Sequence, residues 1–223
     1  DPRVQEVMLG ALGDRDSQVR AVAASALGTL REPGAVQALV ALLQGDPSGA
    51  VRAAAAQALG HYADQRAVEA LIAAWAAADG DYKPAVALAL GMTADPRALA
   101  LLRGAGASLQ LAAVRGLAQS GSPQAVPALL DAAKDKDAAT RRAALQGLGA
   151  SGDPRALPAA LAALQDAGET TAGLTLSAPV RQAAALALGQ LKDRRAVAPL
   201  IDRLGDRAPA AAAAAAQALH AIT

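Results

Sequence analysis

Six copies of one short phrase decide what this chain can fold into. Val19-Arg20 is followed, after six residues, by Leu27-Gly28. The phrase returns at Val51-Arg52 to Leu59-Gly60, Tyr82-Lys83 to Leu90-Gly91, Leu109-Gln110 to Leu117-Ala118, Thr140-Arg141 to Leu148-Gly149 and Val180-Arg181 to Leu188-Gly189. Its last position recurs at intervals of 32, 31, 27, 31 and 40 residues. A period of this size holds two short helices and two turns. Self-similarity at that period marks stacked helical hairpins, each burying its apolar face against its neighbours.

The punctuation agrees. Three residues before each phrase stands Asp16, Ser48, Asp79, Gly106, Asp137 or Ser177. These are favoured N-cap types, because a short side-chain oxygen accepts from the free first-turn amides and Gly adapts its backbone. The spacing predicts a first helix of about a dozen residues that stops at the phrase Gly, in the left-handed conformation glycine tolerates. A second helix begins at Asp1-Pro2-Arg3, Glu32-Pro33-Gly34, Asp64-Gln65-Arg66, Asp95-Pro96-Arg97, Ser122-Pro123-Gln124, Asp153-Pro154-Arg155 and Asp193-Arg194-Arg195. An acceptor followed by Pro is the expected chemistry of a helix start.

Each second helix then carries one apolar stripe at i, i+3, i+4, i+7. It reads Val36, Leu39, Val40, Leu43; then Val68, Leu71, Ile72, Trp75; then Leu157, Ala160, Leu161, Leu164; then Val197, Leu200, Ile201, Leu204. The count is a lone second helix at Asp1–Leu12, six hairpins and a final helix at about Pro209–Ile222. The expectation is an all-α solenoid of about seven hairpins, one repeat domain over 1–223. The chain opens halfway through a repeat and not on Met, as expected of a piece of a longer protein.

Asp153-Pro154-Arg155-Ala156-Leu157-Pro158-Ala159 and the phrase Val180-Arg181 to Ala187-Leu188-Gly189 resemble HEAT repeats. More narrowly, they resemble the short HEAT-like repeats of phycobilisome (bilin) lyases. The resemblance covers nearly the whole chain. It implies a right-handed α-α superhelix, with first helices on a convex side and second helices lining a concave groove. It does not fix a function, because such repeats serve scaffolds, adaptors, lyase subunits and enzymes alike.

Composition narrows the chemistry. Apolar residues make up 53% of the chain, yet Phe is absent and aromatics are 1%, so the core must be Leu, Val and Ala. Leu39→Ala or Leu71→Ala should then cost roughly 2–5 kcal/mol. A net charge of +1, from 21 basic and 20 acidic residues, gives no field for general nucleic-acid binding. With no Cys there is no disulfide frame and no thiol chemistry, which fits the cytosol or an extracytoplasmic compartment. No apolar run suggests a membrane span.

The first-helix column Arg20, Arg52, Lys83, Gln110, Arg141, Arg181 reads either as a basic ladder for an acidic partner or as internal bracing. In the second reading each Arg bonds a turn carboxylate or carbonyl of its own or the adjacent repeat. Its register with the caps favours bracing. A second column, Arg3, Arg66, Arg97, Arg155 and Arg195, starts the second helices, nearer the groove rim. Opposite the stripe, these helices present Glu6, Gln37, Glu69, Asp131 and Asp202 among small residues such as Gly10, Ala41, Ala73 and Ala162. A floor of small side chains with scattered acids could accept a partner helix or an extended peptide. Trp75 shares the register of Leu43 and Leu164, which reads as core rather than as a binding hot spot.

Other chemistries find no residues. His61 and His220 are far apart, and the repeated His-Glu pairs of HEAT-type metal hydroxylases are absent. No phosphate loop or nucleophile elbow occurs, so no catalytic residues, metal or cofactor are expected. Two irregularities stand out. The unit ending at Ala118 is short around Arg103-Gly104-Ala105-Gly106, where a kink is expected. The unit ending at Gly189 carries extra residues in Gln165–Leu176, read as a neutral loop, a contact loop or a strand-like arm. The Ala210–Ala216 run should form a helix packed on the preceding hairpin.

The reading that follows is a non-enzymatic scaffold binding another protein or peptide through the second helices. The alternatives are a lyase-type accessory subunit cradling a tetrapyrrole, which scarce aromatics oppose, and a nucleic-acid-binding HEAT-like protein, which the near-neutral charge opposes.

Overall fold

The computed structural model describes residues 2–62, 64–78, 82–102, 106–166, 170–171, 174–175 and 177–223. The odd-numbered helices are the second helices: α1 (Pro2–Ala11), α3 (Val36–Gly45), α5 (Gln65–Ala77), α7 (Pro96–Leu102), α9 (Val126–Ala132), α11 (Leu157–Ala163) and α13 (Val197–Asp202). The even-numbered helices carry the phrase: α2 (Ser17–Leu30), α4 (Gly49–Gly60), α6 (Lys83–Thr93), α8 (Ala107–Ser120), α10 (Ala138–Ser151) and α12 (Ser177–Leu191), followed by α14 (Pro209–Ile222). The chain forms two compact units, Asp1–Gly116 and Leu117–Thr223, divided within α8. Inside the first, α2 packs on α4 and α4 on α6. Inside the second, α10 packs on α12 and α12 on α14.

Local starts follow the caps. Asp16 accepts from the Gln18 amide and Asp137 from the Thr140 amide. Asp64, Asp153 and Asp193 each accept from the amide two residues on. Four second helices open with a 3-10 turn, at Pro33–Ala35, Pro123–Ala125, Pro154–Ala156 and Arg194–Ala196, which the periodicity did not reveal. Ser48 holds a cap backbone, but its side chain does not cap. The third phrase differs from expectation: α6 starts at Lys83, with Pro84 in its first turn, and Asp79 lies outside the described residues.

The phrase glycine is the last helical residue only in α4, at Gly60, and even there the cap residue His61 is not left-handed; in the other phrases the helix runs on past that position. Three residues further on, Arg31, Ala94, Gly121, Gly152 and Lys192 adopt the left-handed conformation at φ 52°, 50°, 60°, 63° and 53°. The glycine is instead a contact point between successive first helices. A Cβ at Gly28 would lie 2.5 Å from the Ala58 Cα, and one at Gly149 would lie 2.7 Å from the Ala187 Cα. One rung inverts the pair: α8 presents Ala118, and the facing residue on α10 is Gly147, whose Cβ would meet the Ala118 Cα at 2.6 Å.

The cores are Leu, Val and Ala, as composition required. Leu27, Leu39, Leu59, Leu71 and Leu90 are fully buried in the first unit, as are Leu145, Leu148, Leu164, Leu188 and Leu200 in the second. The last stripe departs from expectation. Leu200 is buried, but Ile201 is 53% and Leu204 47% exposed. Trp75 packs against the core only in part. Ala214, Ala215 and Ala218 of α14 are buried in one cluster with α12, as the Ala run implied. Within the insertion, Thr170 pairs with Thr175 and Thr171 with Leu174 in an antiparallel two-residue ladder, the strand-like option. Residues 103–105, and 167–169, 172–173 and 176 of that insertion, lie outside the described set.

Candidate functional site

The first-helix cations are internal clamps. Arg20 donates its Nε and Nη2 to the two carboxylate oxygens of Asp46, at 2.7 and 3.0 Å. Its Nη1 bonds the carbonyls of Asp14 and Arg15. Arg141 repeats this on Asp166 and on the carbonyls of Asp135 and Lys136. Arg181 repeats it on Asp206 and the Asp166 carbonyl. The Arg20 and Asp46 side chains are only 13% and 3% exposed. Each Asp therefore ties one first helix to the turn that opens the next. Asp46 and Asp206 also accept amides of their own turns, from Ser48 and Ala208. The guanidinium forks hold both carboxyls below the usual range, against the opposing effect of burial.

These Asp partners were not singled out from the sequence. An Asp two residues before a cap position was the available signal for Asp46 and Asp206, but it also marks Asp14 and Asp135, whose carbonyls are what the arginines bond, and it misses Asp166. Two rungs of the first unit brace differently. Arg52 bonds the carbonyls of Asp46 and Pro47 and sits 4.6 Å over the Tyr82 ring. Lys83 sits 5.0 Å over the Trp75 ring.

The second column is paired but exposed. Arg66, Arg97, Arg155 and Arg195 each fold back on the cap carboxylate two residues earlier, Asp64, Asp95, Asp153 and Asp193. Arg195 brings the Asp193 carboxyl down to about 2, with help from the Arg195 amide. These forks remain at the surface, Arg195 being 70% exposed. Arg3 is exposed too.

Glu6, Gln37 and Glu69 are exposed on the second helices of the first unit, and Asp131 and Asp202 on those of the second. Glu69 accepts from Gln65 at 2.9 Å and lies close enough to Arg97 to favour its charged form. In the second unit, a groove of about 420 Å³ runs between α9 and α11. Leu130, Ala133, Pro158 and Ala159 line it, with Arg155 at the start of α11 and Lys134 just past the end of α9. In the first unit, an apolar groove of about 450 Å³ lies between α1 and α2, lined by Val7, Met8, Val19 and Val22. Among the described residues, no group of three His, Asp or Glu could hold a metal ion. No described helix is long and apolar enough to cross a membrane.

This architecture has relatives. The family model of HEAT repeats matches residues 1–60, 38–108 and 106–177, and that of the PBS lyase HEAT-like repeat matches residues 180–206. No curated protein matches the chain. Among solved structures, the complex of CpcE and CpcF of phycocyanin lyase from Nostoc sp. PCC7120 is similar at 21% identity and a TM-score of 0.56, over 98% of this chain and 94% of that one. A designed armadillo repeat protein in complex with the peptide (KR)4 is similar at 19% identity and a TM-score of 0.51, over 97% and 98%. At such identities the likeness speaks for the fold alone. With the repeat models spanning most of its length and hairpins stacked as they require, the chain belongs to the HEAT-repeat family.

Proposed function

We propose that this chain is a non-enzymatic interaction scaffold, which holds a partner protein or peptide against the exposed faces of its second helices. One contrast carries the reading. The first-helix cations Arg20, Arg141 and Arg181 are used up in clamps, whereas the second helices keep charged groups at the surface beside small apolar floors. The contacts are Glu6, Gln37, Glu69, Asp131 and Asp202, with Arg66, Arg97, Arg155 and Arg195 on the rim. Binding by many modest contacts suits a surface of this kind. Both similar structures hold a partner, CpcF beside CpcE and a peptide on the designed repeat protein.

The test is affinity capture with the wild type and with the triple variant Glu69→Lys, Asp131→Lys, Asp202→Lys. The expected result is a captured protein that is lost from the variant and retained by Arg15→Gln, whose side chain lies outside these faces. Capture unaffected by the three reversals would remove the second helices from the reading. A lyase-type accessory role is the second reading, favoured by the likeness to the phycocyanin lyase complex. A bilin whose absorption spectrum changes on mixing with the chain would favour it over the scaffold.

A further inference from the structure

We propose that the pocket beside α13 and the start of α14 is an oxyanion site whose ligands are Arg203 and Arg207. It encloses about 340 Å³ and is lined by charged side chains, among them Asp166, Arg181, Asp202, Arg203, Asp206 and Arg207. The charges can be sorted by commitment. Asp206 takes the Arg181 fork on both oxygens and the Ala208 amide besides. Asp166 takes the fork of Arg141. What remains is Arg203 and Arg207 against Asp202, an excess of one positive charge.

Arg203 is the telling residue. Its Nε–H is buried and meets no acceptor among the described residues. A guanidinium cannot shed that proton, and a buried charged donor is costly to leave unmatched. Asp206 is near enough to feel the Arg203 charge, but its oxygens are already engaged. The residue three before the clamp Asp in the preceding repeat is Ala163, which needs no partner. The demand for an acceptor therefore belongs to this rung in particular.

The shape and field suit an oxyanion. Planar guanidinium forks match carboxylate and phosphate oxygens. A carboxylate could come from a partner protein's side chain, and a phosphate from free solution. The site shares Asp166 with the lining of the α9–α11 groove and Asp202 with the proposed partner surface, but its ligands Arg203 and Arg207 belong to neither, so it does not depend on the scaffold reading.

The experiment follows the Arg side-chain Nε–Hε resonances by NMR in the whole chain. One arm titrates inorganic phosphate, the other a blocked Gly-Glu-Gly peptide. The expected result is a saturable shift of the Arg203 signal in at least one arm. Arg203→Gln or Arg207→Gln should weaken that binding by about tenfold, the loss of one charge-assisted hydrogen bond. Arg15→Gln should leave it unchanged. A response to phosphate alone supports a free anion as the source, and a response to the peptide supports a protein carboxylate. No shift in either arm, or affinity indifferent to both Arg variants, overturns the proposal. Arg207 is exposed, so its variant carries the test if Arg203→Gln fails to fold.

Discussion

Two rungs, one in each unit, solve the same packing problem in opposite ways. In the first unit α2 offers Gly28 and α4 answers with Ala58, while in the second α8 offers Ala118 and α10 answers with Gly147. Each contact has room for one Cβ, and which helix supplies it is free. The bracing also differs between units. The second unit fastens α10 to the turn after α11 and α12 to the turn before α14 with Arg–Asp forks. The first does so at Arg20–Asp46 but lays Arg52 over Tyr82 at the next rung. All three of the chain's aromatic residues, Tyr62, Trp75 and Tyr82, lie in that first unit. What the repeat preserves is the close approach of first helices and, in every phrase but the one with Gln110, a cation at their edge. The residue that answers each is allowed to vary.

The hardest way to break the comparison is to put two methyls where one fits. Gly28→Ala drives a Cβ against backbone, the Ala58 Cα, which cannot swing aside. A loss of about 3 kcal/mol is expected, the upper end of overpacking. Ala58→Gly alone should cost about 1 kcal/mol through helix propensity. Together they recreate the Ala118/Gly147 arrangement, so the double variant should lie within about 1 kcal/mol of wild type. Chemical denaturation of the four proteins decides it. Losses that simply add would show that the two rungs are not interchangeable.

Next in size are the forks. Asp206→Asn leaves the Arg181 guanidinium, 14% exposed, without its counter-charge. A loss of about 2 kcal/mol is expected, short of the roughly 3–5 of a fully buried pair. The pH dependence has a definite sign. The folded Asp206 carboxyl titrates below its ordinary value, so its contribution is present above about pH 4 and lost as pH falls through the folded pKa. Thermal melts between neutral and strongly acid pH should show the wild type losing stability faster than Asp206→Asn. Parallel curves would contradict the clamp.

The aromatic rung should respond more mildly and without that pH signature. Tyr82→Leu keeps an apolar side chain in a site 7% exposed and removes only the ring beneath Arg52. About 1 kcal/mol is expected, with an acid limb parallel to wild type. An acid limb that changes would mean that the Tyr82 ring is coupled to the Asp46 carboxyl through Arg52, which lies over the ring and bonds the Asp46 carbonyl.

The sequence exposed the period, the caps and most of the buried stripe, because these are local and repeat. It misassigned the phrase glycine, since a helix end and a helix–helix contact both call for Gly. Only the backbone of the next repeat tells them apart, as Ala58 does for Gly28. It anticipated that Arg20 would brace a turn but not that Asp46, 26 residues on, is the partner. Ion pairing across repeats depends on which turns the stacking brings together. Ile201 and Leu204 fit the stripe by spacing and still face solvent, since spacing gives a residue's face of the helix and not what packs against that face. The outer-face residues Glu69, Asp131 and Asp202 were legible as exposed, but exposure alone carries no partner's identity.

The smallest effect sharpens the contrast between the two Arg columns. Arg195 and Arg181 both hold an aspartate by a two-pronged fork, so distance alone would rank them as equals. Their surroundings do not. Arg195 is 70% exposed and its partner Asp193 sits two residues away, so the pair closes no loop between helices. Solvent screens such a pair, and the entropy of fixing the side chain offsets most of the attraction. Arg195→Gln should therefore leave the denaturation midpoint unmoved, while Arg181→Gln lowers it and more so at low salt. Asp193 would keep its backbone duty as helix cap in either case, since it accepts the residue-195 amide whatever side chain follows. A clear loss on Arg195→Gln would mean that the second column braces the fold as the first does, and would remove it from the rim proposed for binding.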